Sequence, residues 1–318
     1  MMSNVTSALP INRHDGRLEF IWLLLLGFLW GIPYALTKIS LTTIPPLTLV
    51  SARVSLAAVT LWVIAFSLRR RVPRDWNFVG RLFLQSCVAC ILPYTLIAFG
   101  QQSVSSALAA ILNSSTPLFV CLISIISAHH ERMSTGRITG MAFGMAGVVA
   151  IAGVSALAGI GAEFTGQAAI LAATLASAIS VIHGRRFTDI APEVAAAGML
   201  TWAAVVLVPL CLFVDHPWRT SPSGTAVAAL LVNAIVATAF GFVVYFRLIR
   251  TIGSMSTASV GYLKPAMGVL IGCTVLGESL TWVVALGLGA ILFGVATING
   301  NMALPKVLRF ARSGLRWP

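Results

Sequence analysis

The chain has few charged residues for its length. Only 9% of its 318 residues are Asp, Glu, Lys or Arg, whereas 58% are hydrophobic and the mean hydropathy is +0.93. Soluble globular domains carry about 25% charged residues. This composition excludes an ordinary soluble domain, and we predict an integral membrane protein of the all-α class.

Acidic residues are the scarcer of the two charged groups. The chain has nine Asp and Glu against 21 Lys and Arg, which gives a net charge of +12. None of the nine lies deep in an apolar stretch, where proton-coupled transporters often place a carboxylate. Intramembrane proteases need two such aspartates, or a serine and a histidine within spans. The sequence therefore offers no catalytic residue, and an intramembrane enzyme is the least favoured class.

Cysteines give no sign of a disulfide framework or a metal site. All five lie inside apolar stretches, where neither a disulfide set nor a zinc site is expected. Cys87 and Cys90 form a C-x-x-C pair, which we interpret as small residues of a helical core. We predict no metal and no cofactor.

Ten apolar stretches dominate the chain. Each is about 20 residues long, enough for a helix to cross a hydrocarbon core about 30 Å thick. They cover residues 19–39, 46–68, 78–99, 104–127, 138–157, 166–184, 192–214, 225–247, 254–276 and 281–301. The first stretch follows a polar tail and has no small-residue cleavage site, so we interpret it as an uncleaved span.

The basic residues alternate with the spans. Seventeen of the 21 lie in every second loop and at both termini: Arg13, Arg17, Arg69, Arg70, Arg71, Arg74, Arg81, Arg132, Arg137, Arg185, Arg186, Arg247, Arg250, Lys306, Arg309, Arg312 and Arg316. The opposite loops hold only Arg219, with Lys38 at the end of the first span. The positive-inside rule then predicts that both termini are cytoplasmic, in an inner or plasma membrane. A nucleic-acid surface would not alternate in this way.

The second half of the chain repeats the first. Pro46 corresponds to Pro192 at an offset of 146, and Pro117 corresponds to Pro265 at an offset of 148. At an offset of 147, Glu131, Gly140 and Gly147 match Glu278, Gly287 and Gly294. Each half holds five spans, and because five is odd, the second half enters the membrane in the opposite orientation. Secondary transporters use such inverted repeats, with the substrate site near the midplane between the halves.

The repeat sets the predicted domain boundaries. Residues 1–18 form a cytoplasmic tail, 19–157 the first repeat, 166–301 the second repeat and 302–318 a basic cytoplasmic tail.

Four segments carry a family resemblance. They are "LLGFLWGIPYALTK", "SARVSLAAV", "AAILNSSTPLFVCLISIISAHHER" and "YLKPAMGVLIGCTVLGESLTW". Together they resemble the EamA repeat of the drug/metabolite transporter superfamily, over nearly the whole chain. The resemblance implies a ten-helix bundle around a central cavity that commonly exports amino acids, other metabolites or toxic compounds. Two departures leave the substrate open: "SAHHER" replaces a hydrophobic-Gly-Glu run, and the lysine before Pro265 is one of several residues found there.

Lys264 is the leading candidate site residue. A lysine at the centre of a spanning helix costs about 2.5 to 3.5 kcal/mol, so it should face the protein interior or water. Gly261, Gly268 and Gly272 share its helical face, which indicates a cavity or a packing surface. Two interpretations stay open. The lysine binds an anionic group of the substrate, or it is structural, charged or neutral, and held by backbone carbonyls. One such carbonyl is that of Gly261, which Pro265 leaves without its helical partner.

Six further side chains are candidates for substrate binding: Arg53, Asn113, Tyr34, Trp30, Tyr94 and Tyr262. Arg53 lies roughly 10 Å from the external end of its span, so a structural or gating role is as plausible as ligand contact. The aromatic rings can stack on a ligand or simply pack in the core. Glu131 and Glu278 are expected at helix ends, where they cap or anchor loops, with a gating role as the alternative.

The sequence therefore predicts a secondary transporter, an exporter of small metabolites such as amino acids or related amphipathic or anionic compounds, which works by alternating access. A lipid or lipid-linked-sugar flippase of the same fold is the alternative. The expected partners are a small-molecule substrate and the lipid bilayer, and no nucleic acid. Glycine spacings such as Gly140-x-x-x-Gly144 and Gly268-x-x-x-Gly272 permit close helix packing, either within the chain or in a homodimer.

Overall fold

The computed structural model describes residues 16–126 except 74, and residues 138–300 except 141, 148–149, 151–161, 185–186, 188–189, 246, 249–250 and 252–259. Helices are the regular elements of these residues, and no strand occurs among them. Residues 1–15 of the predicted N-terminal tail, the C-terminal tail and Glu131 lie outside the described residues, whereas residues 16–18 belong to the first helix.

Twelve α-helices are named here. Those of the first half are α1 (Gly16–Gly31), α2 (Pro33–Ser40), α3 (Pro46–Ser67), α4 (Trp76–Ser86), α5 (Leu92–Gly100), α6 (Ser106–Asn113) and α7 (Thr116–Ile126). Those of the second half are α8 (Ala162–Gly184), α9 (Pro192–Val214), α10 (Gly224–Leu231), α11 (Val260–Val275) and α12 (Trp282–Gly300). Pro46 and Pro192 both stand at a helix start, where a missing N–H costs nothing.

Six helical segments of the described residues are long and apolar enough to cross a membrane. They are Leu18–Ser40, Pro46–Ser67, Trp76–Gly100, Glu163–Gly184, Pro192–Val214 and Gly224–Tyr245. They match the first, second, third, sixth, seventh and eighth predicted spans. Shorter apolar helices, Ser106–Val120, Ile138–Gly147 and Trp282–Gly294, fall within three of the other predicted spans. The protein is a multi-pass membrane protein.

The predicted fourth span is not one continuous helix. It is broken at Ser114 and Ser115, between α6 and α7. The hydroxyl of Ser114 donates to the carbonyl of Ile111 at 2.5 Å, and that of Ser115 donates to the carbonyl of Leu112 at 2.6 Å. Such side-chain bonds compete with the helical amides. Pro117, two residues after Ser115, has no amide hydrogen with which to continue the helical hydrogen bonds.

Two π-helical stretches interrupt the third and eighth spans. Cys87–Ile91 separates α4 from α5, and Val232–Phe240 follows α10. Their positions overlap when the first is shifted by the repeat offset of 147. In the second stretch the Thr238 hydroxyl donates to the carbonyl of Asn233, five residues earlier, at 2.7 Å.

Helices α3 and α9 pack together in opposite directions. The amide of Thr48, at the start of α3, donates to Asp215 just after α9 at 2.7 Å. Further along, Trp62 Nε1 donates to Thr201 Oγ1, near the middle of α9, at 2.9 Å. Small residues between these points are fully buried, among them Ala57 and Ala203. Small side chains let two spanning helices approach closely.

Glycines join the end of the first half to α12. A Cβ atom added at Gly147 would lie 2.7 Å from the carbonyl oxygen of Gly287, and one added at Gly294 would collide with that of Gly140. Gly287 and Gly294 are the repeat partners of Gly140 and Gly147. Gly147 thus contacts Gly287, the repeat partner of Gly140, and Gly140 contacts Gly294, the repeat partner of Gly147. Such matching pairs of contacts are expected when two similar units are related by a two-fold axis.

Candidate functional site

A buried polar cluster joins four helices from both halves of the chain. The phenol of Tyr34 donates to Asn113 Oδ1 at 2.8 Å, and the ammonium of Lys264 donates to the same oxygen at 2.9 Å. Asn113 Nδ2 donates to Thr174 Oγ1 at 3.3 Å. Tyr34 and Asn113 belong to the first half, whereas Thr174 and Lys264 belong to the second. We call these four residues the polar cluster.

Close packing fixes the positions of the cluster residues. Tyr34 follows Pro33 at the start of α2, and Asn113 is the last residue of α6, directly before the break. On α11, a Cβ atom at Gly268 would lie 2.5 Å from Cβ of Ala110 and 3.6 Å from the ring of Tyr34. The small-residue face of α11 is therefore a packing surface, and it brings Lys264 against α6 and α2.

Asn113, rather than the carbonyl of Gly261, accepts the hydrogen bond of Lys264. An ammonium has three donors, and Asn113 accepts one of them. No second acceptor and no carboxylate partner for Lys264 occurs in the part of the chain that the structure describes.

Two acidic residues near the ends of spanning helices have partners outside the polar cluster. Glu19 accepts two hydrogen bonds from Arg247 at 3.0 Å each and one from Thr251 at 2.8 Å. Glu193 forms an ion pair with Arg70 at 3.4 Å. These carboxylates tie helix ends together and leave the polar cluster with a net positive charge.

Arg53 and Tyr94 form a second group beside the polar cluster. The guanidinium of Arg53 lies 4.3 Å from the ring centroid of Tyr94, in a cation–π contact. Its Nε donates to Thr238 Oγ1 at 3.0 Å, so it contacts the π-helical stretch after α10. Arg53 also lies near enough to Lys264 for the two positive charges to interact. The structure thus brings two of the predicted cations into one region.

Trp30 packs among hydrophobic residues of both halves of the chain. The ring of Trp30 packs on Tyr245 and Phe242, with centroid distances of 5.0 and 6.2 Å. These contacts join α1 to the second half of the chain, and Trp30 packs against a hydrophobic cluster that includes Leu26, Leu29 and Val244. The side chain of Tyr262 lies outside the described residues.

Lys38 and Gln101 brace the backbone near Tyr34. Lys38 Nζ donates to the carbonyls of Gln101 and Val104 at 2.7 and 3.0 Å. Gln101 Nε2 donates to the carbonyl of Tyr34 at 2.8 Å. Neither Gln101 nor Thr174 is among the site residues predicted from the sequence. Gln101 could have been predicted as a candidate, because a polar side chain at the end of an apolar span is unusual. Thr174 could not, because a single threonine within a span is common.

Glu278 caps a helix of the other half. Its carboxylate accepts from the amide of Ser106 at 2.7 Å, from the Ser106 hydroxyl at 3.0 Å and from the amide of Ala107 at 2.8 Å. These amides begin α6 and have no helical partner of their own. The predicted capping role of Glu278 is confirmed.

Comparisons with known proteins agree with this architecture. The EamA-like transporter family matches residues 17–153 and again residues 164–300. An uncharacterized inner membrane transporter of Escherichia coli strain K12, YedA, is 25% identical over 277 residues, which cover 86% of this chain and 88% of that protein. A protein of Salmonella typhimurium named as a probable amino-acid metabolite efflux pump is 25% identical over 303 residues, 90% of this chain and 94% of that protein.

One solved crystal structure has the same fold. It superposes with a TM-score of 0.64 at 18% sequence identity, and the match covers 90% of this chain and 99% of that chain. Since the family matches both halves of the sequence, this chain is a membrane transporter that belongs to the EamA-like transporter family.

Proposed function

We propose that the chain exports small metabolites that carry a carboxylate, such as amino acids or related amphipathic compounds, by alternating access. Lys264, Asn113 and Tyr34 contact the substrate. The observation that carries this proposal is the ammonium of Lys264, which donates to Asn113 at 2.9 Å and has no carboxylate partner among the described residues. An intramembrane cation is costly to keep and is by default a functional residue.

The charge of the site supports an anionic substrate group. Arg53 adds a second positive charge that interacts with that of Lys264. Two neighbouring cations repel one another, and a carboxylate between them relieves that repulsion and accepts their free hydrogens. Export of amino acids is supported by the name of the Salmonella relative, a probable amino-acid metabolite efflux pump.

Alternating access rests on ten spans arranged as two inverted repeats of five. Two observations support this arrangement. Helices α3 and α9 are repeat partners and run antiparallel. The glycines of the first half also contact α12 reciprocally, at positions separated by the repeat offset. The polar cluster bonds residues of both halves, so rocking of one half against the other would alter the site.

The orientation of the chain follows from its charges. We propose that both termini are cytoplasmic, because the basic loops alternate with the spans. YedA, a relative with 25% identity, is named as an inner membrane transporter, which supports the same membrane for this chain.

The test measures ligand binding through thermal stability. The purified protein is heated with amino acids, with carboxylic acids that lack an amino group, and with cationic drugs. A ligand present at 100 times its dissociation constant stabilises the folded state by about 2.7 kcal/mol. Lys264→Met removes the proposed contact, and Arg219→Gln removes an exposed cation far from the cluster. Compounds that stabilise the protein are then assayed for counterflow in proteoliposomes.

We expect carboxylates to stabilise the parent and Arg219→Gln but not Lys264→Met. If Lys264→Met keeps the full response, Lys264 does not contact the substrate. If only cationic drugs stabilise the parent, the proposed substrate class is wrong, whatever the variants do.

A further inference from the structure

An apolar groove of about 290 Å³ lies on the side of the bundle, and no residue of the polar cluster lines it. Helices α3, α4 and α9 and the loop before α4 form its walls. Its lining residues include Trp62, Val72, Phe78, Val79, Trp202 and Val205. Val205 is 55% exposed and Val72 is 39% exposed, so the groove opens sideways toward lipid.

The groove offers no free polar group along its wall. The hydroxyl of Thr201, which also lines it, accepts from Trp62 Nε1 at 2.9 Å and donates to the carbonyl of Ala197 at 2.8 Å. The indole N–H of Trp62 is satisfied by the same bond. A polar ligand would find no partner here, whereas a hydrocarbon chain needs none.

The length of the groove fits one leaflet of a bilayer. Along α9 its lining runs from Val194 to Val205. Eleven residues at 1.5 Å each span roughly 16 Å. One leaflet contributes half of a hydrocarbon core about 30 Å thick. An acyl chain that begins at the level of Val194 can therefore lie in the groove over most of its length.

An arginine-rich loop stands at the mouth of the groove. Val72 and Pro73 line the groove and directly follow Arg69, Arg70 and Arg71. Arg70 is bound to Glu193 at 3.4 Å, next to the groove residue Val194, so this ion pair fastens the loop to α9.

Two of these cations stay available to a ligand. Arg69 and Arg71 are exposed, and Arg69 adopts the left-handed backbone conformation, with φ of 51°. Trp76, 86% exposed, begins α4 directly after this loop, and aromatic rings favour the membrane interface. The exposed Asp75 is the opposing charge nearby in sequence. The mouth therefore keeps an excess of positive charge.

We propose that this groove is a binding site for an anionic phospholipid. One acyl chain lies between α3, α4 and α9, and the phosphate of the headgroup contacts Arg69 and Arg71. Basic pockets beside spanning helices on the cytoplasmic side recognise anionic headgroups in this manner. The site is independent of the substrate contacts proposed above, since Lys264 and Arg53 take no part in it.

The test compares two lipids with the same acyl chains and different headgroups. The purified full-length protein is mixed with phosphatidylglycerol or phosphatidylcholine, and native mass spectrometry counts the lipids that remain bound. The variant Arg69→Gln/Arg71→Gln removes the headgroup contacts and leaves the Arg70 ion pair intact. The control Arg219→Gln removes one exposed charge in the loop that follows α9, at the end of that helix opposite Val194.

We expect the parent to retain more phosphatidylglycerol than phosphatidylcholine. The preference should fall roughly fivefold for each arginine removed in Arg69→Gln/Arg71→Gln, the effect of one charge at an anionic surface. It should persist in the control. Equal retention of the two lipids by the parent, or an equal loss in the control, would overturn the proposal.

A second pair of variants tests the acyl chain. Val205→Trp fills the groove, whereas Val214→Trp adds the same bulk to a comparably exposed position of α9, 58% against 55%. We expect Val205→Trp to lower the retention of both lipids and Val214→Trp to leave it unchanged. Unchanged retention in Val205→Trp would place the bound lipid elsewhere on the protein.

Discussion

At the scale of single residues, one oxygen holds the polar cluster together. Asn113 Oδ1 accepts from both Tyr34 and Lys264, while its amide nitrogen donates to Thr174. A buried donor that loses its acceptor costs about 1 to 3 kcal/mol, and more when it is charged. The arrangement of the cluster thus depends on Asn113 more than on either donor.

Asn113→Leu should destabilise the protein more than Lys264→Met does. The first variant leaves a buried ammonium and a phenol without an acceptor, whereas the second removes the charge itself. The double variant should be more stable than the sum of the single changes implies, with a coupling energy of about 0.5 to 3 kcal/mol. The measurement is the free energy of unfolding for all three variants and the parent.

Asn77→Leu is the matched control, because Asn77 is exposed at the start of α4. It should change stability little. Additive effects of Asn113→Leu and Lys264→Met would mean that the bond between these side chains contributes nothing.

The sequence could nominate residues of this site but not the bonds between them. Lys264 and Asn113 stand out because polar groups are rare in spans, and both belong to the cluster. Hydropathy does not tell how far each helix is rotated about its axis, so the meeting of Tyr34 with Asn113 could not be predicted. Thr174 was missed for the same reason. Glu278 was predicted as a cap, yet only the structure identifies Ser106, 172 residues away, as its partner.

At the scale of helices, the break between α6 and α7 places Asn113 at a helix end. The carbonyl of Asn113 accepts from the Thr116 hydroxyl at 2.8 Å in place of a helical amide. Discontinuous helices of this kind form the binding sites of many transporters. Hydropathy located the span but not the break, because two serines and one proline barely change the mean hydropathy of a stretch of about 20 apolar residues.

Pro117→Ala should make this segment more continuous. The new amide can complete the helical ladder, so we expect slower hydrogen exchange at residues 113–118 and higher thermal stability. Transport should fall several-fold if the break is needed at the site. Pro209→Ala, at the internal proline of α9, is the control and should leave transport unchanged. Unaltered transport by Pro117→Ala would show that the break is not needed.

At the scale of the whole molecule, glycines join the two repeats. Gly294 meets the backbone of Gly140 and Gly144, whereas Gly289 of the same helix has nothing within 4 Å of a Cβ position. Gly294→Ala should therefore destabilise the protein by about 1 to 3 kcal/mol, as overpacking does. Gly289→Ala should be neutral, or stabilising by up to about 1 kcal/mol through helix propensity.

Thermal unfolding of these two alanine variants, purified in the same detergent, decides between the outcomes. Equal stability of Gly294→Ala and Gly289→Ala would mean that the halves do not meet at Gly294. The repeat could be predicted from the offset of 147 alone. The contacts between glycines of the two halves could not be predicted, because a sequence repeat does not show which residues of the two copies lie in contact.

The broken fourth span also has an electrical consequence. Each α-helix carries a partial negative charge of about half an elementary unit at its carboxyl end, where carbonyls lack partners. Because the chain breaks after Asn113, α6 ends beside the ammonium of Lys264 rather than at the membrane surface. The dipole of a short helix can thus stabilise a lysine that no acidic side chain neutralises among the described residues. The carboxylate of the proposed substrate would add to a negative potential that the helix already supplies.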